Sequence, residues 1–167
     1  MSNESVIDRF MTNAAKVSAE SVRATDIDSF KAAVENIVRG CSSVYCPEVT
    51  DAERLAATVV GAERREPDYT RAALCLDEVY GAVAETGSLI CSSGGGGPVQ
   101  AGLTASHHVA ILRSEKVYET LDDFFAHQGD SPPTNITLET GPSRTADIEL
   151  TLTIGVHGPE RLSVIVL

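Results

Sequence analysis

The chain has 167 residues, 43% of them hydrophobic, and a net charge of −11, enough for one domain burying roughly 70% of the surface its unfolded chain would expose. The acidic balance argues against nucleic acid or an anionic membrane surface as a main partner. The polar N-terminus MSNESVIDRFMTNAAK lacks the apolar core of a secretory signal, and no continuous apolar run approaches the length of a membrane span, so a cytoplasmic location is expected.

Residues 2–24 read as weakly helical and polar, an arm that packs elsewhere, so the expected organisation is an arm over 1–25 and one α/β domain over 26–167. Asp26 or Asp28 can cap a helix over 29–39, whose Phe30, Val34, Ile37 and Val38 form one apolar stripe. Gly40 sits where a left-handed cap is needed, and a short strand over 43–46 follows. Thr50 and Glu53 have the spacing of a capping box opening a helix over 51–65, which Pro67 ends. Residues 70–84 read either as helix or as a strand over 73–76 followed by a helix from Asp77. Ser88–Cys91 reads as a buried strand.

The run SSGGGG is a loop, and Pro98 suits the first turn of a short helix over 98–105. His107–Leu112 reads as a strand, and Ser114 as the cap of a helix over 115–127 with Val117, Leu121, Phe124 and Phe125 on one face. Asn135–Glu139 is a further strand. Leu150, Leu152 and Ile154 alternate with threonines, GVHGPE turns the chain, and Leu162, Val164 and Val166 alternate again, which reads as an antiparallel hairpin. One helical turn over 145–150 is the rival. Strands alternating with helices predict an α/β domain around a largely parallel sheet.

Cys41, Cys46, Cys75 and Cys91 form no C-x-x-C pair, and reduced, half-buried thiols with no metal, cluster or cofactor in this chain are expected. Four polar or glycine-rich patches can carry chemistry. Glu85, before Thr86, Gly87 and a buried strand, can serve as base, nucleophile or ligand-orienting acceptor, or simply end a helix. SSGGGGP can present backbone amides to an anion, although it lacks a Walker lysine. Of His107 and His108, only one can face a given site, because adjacent strand residues point to opposite faces. In Gly141–Glu149, Ser143 and Thr145 can cap or donate, Arg144 can grip a carboxylate or phosphate in bidentate fashion, and Asp147 can orient it or take a proton; a plain polar turn is the alternative. His157-Gly158-Pro159 reads as a tight turn. Convergence of these patches on one crevice, with Glu85 and Asp147 as catalytic carboxylates, is the sharpest functional expectation.

AVAETGSL, HHVAILRSEKVYETLDDFF and ITLETGPSRTADIELTLTIGVHGPERLSVIVL, within roughly residues 74–167, resemble the LUD domain family. The matching positions are Glu85, Thr86, Gly87, His108, Gly141, Pro142, Ser143, Asp147, Ile148, Glu149, Gly155, His157, Gly158 and Pro159. SSGGGGPVQAGLTASHH departs from the family in lacking an arginine, and the N-terminal part is short. The resemblance implies a three-layer α/β/α fold of the NagB/RpiA/CoA-transferase type. It also implies a cluster-free subunit in bacterial oxidation of L-lactate to pyruvate, acting with iron–sulfur partner proteins. A free-standing enzyme, or a binding module for a small anionic metabolite such as a hydroxy or keto acid, CoA ester or sugar phosphate, is the alternative.

Overall fold

A computed structural model describes residues 3–93, 97–128, 132–146, 152–154 and 158–167. Its centre is a five-stranded parallel sheet in the order β1-β11-β6-β3-β2. The strands are β1 (Glu20–Arg23), β2 (Val44–Tyr45), β3 (Leu74–Glu78), β6 (His107–Leu112) and β11 (Arg161–Val166). A second, four-stranded sheet runs β7-β4-β5-β8, from β4 (Gly81–Val83), β5 (Ser88–Ser92), β7 (Val117–Tyr118) and β8 (Ile136–Glu139). β9 (Arg144–Ala146) and β10 (Leu152–Ile154) form a separate antiparallel pair.

The parallel sheet is covered on both faces, as all-parallel sheets require. On one face, α2 (Ile27–Val38) and α3 (Asp51–Val60) pack Phe30, Val34, Val38, Ala56 and Val60 against Leu74, Leu76, Val109, Ile111 and Ile165. On the other, α1 (Asn3–Lys16) brings Ile7, Phe10 and Ala14 against Ala110, Leu112, Leu162, Val164 and Val166, together with Ala82, Ala84 and Leu89 of the second sheet. The far face of that sheet is closed by α5 (Leu121–Gln128) through Phe124 on Val83 and Ile90. The short α4 (Gln100–Thr104) lies against Cys75.

Both capping expectations hold atom by atom. Asp26 accepts from the Ser29 amide at 2.7 Å. Thr50 accepts from the Glu53 amide at 3.2 Å, while Glu53 reaches back to the amides of Thr50 at 2.9 Å and Val49 at 2.7 Å. The other oxygen of Glu53 accepts from Glu78 N at 2.8 Å, so one buried carboxylate ties the start of α3 to the end of β3.

Several elements differ from the sequence reading. The N-terminal segment is a helix and an edge strand built into the core, because Ile7 and Phe10 are fully buried and β1 pairs with β11. The expected helix over 51–65 ends at Val60, where Gly61 takes φ +78°. Residues 74–78 and 81–83 are strands, and no part of 70–84 is α-helix. The helix expected over 115–127 begins at Leu121: Val117 pairs with Ala82, and Thr120 exchanges bonds with Asp123 as a capping box at 3.1 Å each way. Among the described residues, β10 and β11 do not pair as the expected hairpin. β11 lies in the middle of the sheet, parallel to β1 and β6, and β10 pairs with β9. Ser163, Ile165, Leu162, Val164 and Val166 are all buried, so both faces of β11 are covered, which an outer hairpin strand would not need.

Candidate functional site

Alternation along β6 sends His107, Val109 and Ile111 to the α2–α3 face and His108, Ala110 and Leu112 to the face that meets the second sheet. His108 therefore stands at the seam between two sheets. Its Nδ1 donates to Glu139 Oε2 of β8 at 2.6 Å, and its Nε2 donates to Asp77 Oδ1 of β3 at 2.8 Å. Cys91 of β5 approaches the same Glu139 oxygen at 3.9 Å. The ring lies close to Gly102 of α4, where an added Cβ would come within 2.6 Å of Nε2.

Burial would push the His108 imidazole down, but the carboxylates of Glu139 and Asp77 outweigh it and hold the group up at about 10. His108 is thus an imidazolium at neutral pH, with both N–H groups committed. It has no lone pair with which to abstract a proton. Burial and the Glu139 charge push the Cys91 thiol well up, so Cys91 is a neutral packing group and not a nucleophile. Asp77 is the outlet of the cluster: its side chain is 21% exposed, against 1% for His108 and 4% for Glu139. It lines a cavity of about 30 Å³ with Ser92, Gly97, Pro98 and His108, room for a single water. The end of the glycine-rich loop thereby roofs this buried charge. Among the described residues, Glu139 Oε1 has no hydrogen-bond partner.

His107 takes the opposite course. It bonds Ser163 Oγ at 2.9 Å on the far face, and burial, reinforced by Arg161, lowers it to about 4, so it is neutral.

The remaining candidates are arranged by the end of α1. Asn13 donates to the carbonyls of Ala84 at 2.8 Å and Glu85 at 3.2 Å. Gly87, at φ +70°, lies so close to the backbone of Ala14 that a Cβ would collide with it, and Gly141, at φ +75°, does the same on Val17. Two Glu-Thr-Gly turns, 85–87 and 139–141, thus sit side by side under one helix end. Their second sites are linked through Thr86, Ser88 and Thr140, whose hydroxyls chain at 2.7 Å each. The two glutamates diverge. Glu139 points inward to His108, whereas Glu85 is exposed and accepts from Leu121 N at 3.1 Å, stabilising the start of α5.

Ser143 N donates to Pro159 O at 2.8 Å, and Gly158 packs on the Ser143 side chain, so these two family segments do meet. Arg144 reaches the hydroxyl of Ser18. Thr145 lies in β9 opposite Thr153. Asp147, Glu149 and His157 lie outside the described residues. His108 bonds Glu139 and Asp77, Glu85 bonds Leu121 N, and Arg144 bonds Ser18, so these described candidates have separate partners. The crevice outside the carboxyl ends of β1, β11 and β6, about 410 Å³ and lined by Ala24, Phe30, Leu55 and Arg113, contains none of the described candidates.

Sequence reasoning missed Asp77 and Glu139 as partners of His108, and the bond that ties Glu53 to Glu78. The repeated Glu-Thr-Gly was a usable signal for Glu139, and the polar end of a buried strand, Leu74-Cys75-Leu76-Asp77-Glu78, was one for Asp77. Among the described residues, no group of three or more His, Cys, Asp or Glu side chains could hold a metal ion, and no helix is long and apolar enough to cross a membrane.

An α/β domain with a buried carboxylate–imidazolium–carboxylate seam between two sheets is the class these observations define. A family model described as "LUD domain" matches residues 53–167, and the chain belongs to the LUD domain family. An uncharacterized protein of Neisseria meningitidis serogroup B is 35% identical over 88 residues, 50% of this chain and 37% of that one. A protein named "Lactate utilization protein C" from Halalkalibacterium halodurans is 32% identical over 90 residues, 50% of this chain and 39% of that one. Its namesake from a Geobacillus strain is 31% identical over 90 residues, 50% and 37%. The matches span less than two fifths of these relatives' length. The crystal structure of a DUF162 family protein from Deinococcus radiodurans superposes with a TM-score of 0.75 at 20% identity, covering 99% of this chain and 98% of that one, which shows the shared fold.

Proposed function

We propose that this chain is a cluster-free, cytoplasmic component of an L-lactate utilization system, in which iron–sulfur partner proteins carry the redox cofactors for oxidation of lactate to pyruvate. The observation that carries the reading is its 31–32% identity, over half its length, to proteins named lactate utilization protein C. The geometry of the buried seam favours an accessory role over catalysis at that seam. His108 keeps its proton, and the space of about 30 Å³ beside Asp77 has room for about one water. Glu85, proposed with Asp147 as a catalytic carboxylate, is engaged at the start of α5, which also suits a structural part.

The test is a tagged pull-down from the native host grown on lactate, with iron and sulfide assayed in the eluate. Co-purifying iron–sulfur proteins, at an amount that falls when the cells grow on another carbon source, are expected. An iron-free, lone protein under both conditions would overturn the reading.

A further inference from the structure

α1 ends in a Schellman turn. Ala19 N bonds Ala14 O at 3.0 Å and Ser18 N bonds Ala15 O at 3.0 Å, which places Ser18 at the left-handed position. Ser18 has φ +67°, a seat that glycine fills without cost. A hydroxyl residue held there costs stability, so its hydroxyl is the feature to explain. That hydroxyl meets the guanidinium of Arg144. Ser18 and Arg144 line a cavity of about 140 Å³ with Glu20, Pro142, Glu160 and Arg161. It opens at the amino ends of β1 and β11, one strand over from the His108 seam, where Arg161 and Leu162 pair with His107 and His108. Ser18, Arg144 and Arg161 are all exposed there.

Charge within the cavity is not locked. Arg161 meets Glu20 at 3.5 Å, with side chains 62% and 73% exposed, a pair that solvent screens and a ligand can displace. Among the described residues, the Arg144 side chain bonds the Ser18 hydroxyl. Two guanidiniums and a hydroxyl share this space with the carboxylates of Glu20 and Glu160; with Glu20 displaced, the guanidiniums can grip a small carboxylate by planar forks beside one O–H donor.

We propose that Ser18, Arg144 and Arg161 form a binding site for a small carboxylate of the hydroxy- or keto-acid class. This deepens the proposed function and rests on it only for the identity of the acid. The acid enters between the guanidiniums, its carboxylate takes the place of Glu20 on Arg161, and the Ser18 hydroxyl donates to it alongside Arg144.

Titration calorimetry and thermal shift with L-lactate, pyruvate, acetate and inorganic phosphate on the purified chain test this. Lactate or pyruvate should bind and raise the Tm, and Arg144→Gln and Arg161→Gln should each weaken Kd about tenfold or more. Ser18→Gly should do the opposite of a structural lesion: it should raise the Tm of the free protein while weakening the acid. Binding that is equal in the wild type and all three variants would overturn the site, as would no binding of any acid. Binding of phosphate alone, lost in the same variants, would overturn the carboxylate assignment. Each of these results is separable from the pull-down, which reads partners and not this cavity.

Discussion

Glu139→Gln is the sharpest probe of the seam between the sheets. The change keeps shape and removes one of the two charges that hold His108 as a cation. Folding raises His108 from 6.5 to about 10. A raised pKa gives stability that is fully present below the unfolded value and is lost as pH climbs toward the folded one. The whole contribution is about 5 kcal/mol, of which about 2 kcal/mol disappears between pH 6.5 and 8.5. The buried thiols are also pushed up, Cys46 to about 12 and Cys75 and Cys91 upward too, by burial first. Their effect has the same sign but starts near the ordinary thiol value of 9, so the window below pH 8.5 isolates His108. In the variant, burial and Asp77 oppose each other alone. The expected cost is about 3 kcal/mol at pH 6.5, that of breaking a buried pair, and the alkaline loss should shrink below about 1 kcal/mol. Urea midpoints at constant m-value, taken every half pH unit, measure both. A variant within about 1 kcal/mol of wild type that keeps the wild-type slope would refute the argument that Glu139 holds the proton on His108.

Other changes test the supports around this seam. Gly102→Ala places a methyl 2.6 Å from the His108 ring and should cost about 1–3 kcal/mol in thermal unfolding; a neutral result would mean α4 is free to move away. Glu53→Ala strips the acceptor from the amides of Val49, Thr50 and Glu78 and should cost about 2–4 kcal/mol, with hydrogen exchange rising at Glu78. Thr50→Ala, which removes one cap bond, should cost only about 1 kcal/mol. Acid should act through His107 with the opposite sign to His108: its depressed pKa makes stability fall from pH 6.5 toward about 4, and His107→Gln should flatten that limb of the urea titration.

The helices were legible where local chemistry sets them. The Thr50–Glu53 box and the Asp26 cap are written in four-residue windows, and the stripe Phe30, Val34, Val38 repeats at helical spacing. The failures came where partners distant in sequence decide. Val117 reads as the first residue of a helical stripe, yet it joins Ala82 across the second sheet. RLSVIV has the alternation of an outer strand, yet β1 and β6 flank it, because α1 brings a strand from the other end of the chain to its side. Polarity of residues 2–24 masked this. Val6, Ile7, Phe10 and Ala14 are enough to seat α1, since four apolar positions on one face suffice when the sheet supplies the rest.

The site was legible in the same uneven way. Only one histidine of the pair was expected to face a given site, and the pleat does separate them: His107 is neutral toward Ser163 and His108 is a cation toward Glu139 and Asp77. Glu85 drew attention by standing in a Glu-Thr-Gly turn, but that turn occurs twice, and the copies have different neighbours. At 85–87 the strand behind the turn is β4, beside β7, so the carboxylate faces outward to Leu121. At 139–141 the glutamate closes β8, opposite Leu89 of β5, and alternation turns it inward to the histidine. The two glycines share one cause, the close approach of α1, and so mark a docking site for a helix and not a ligand. The same docking carries Ser18 to Arg144. A helix whose sequence showed little therefore determines where the two Glu-Thr-Gly turns sit, and its last turn supplies the hydroxyl that makes the arginine cavity specific enough to test.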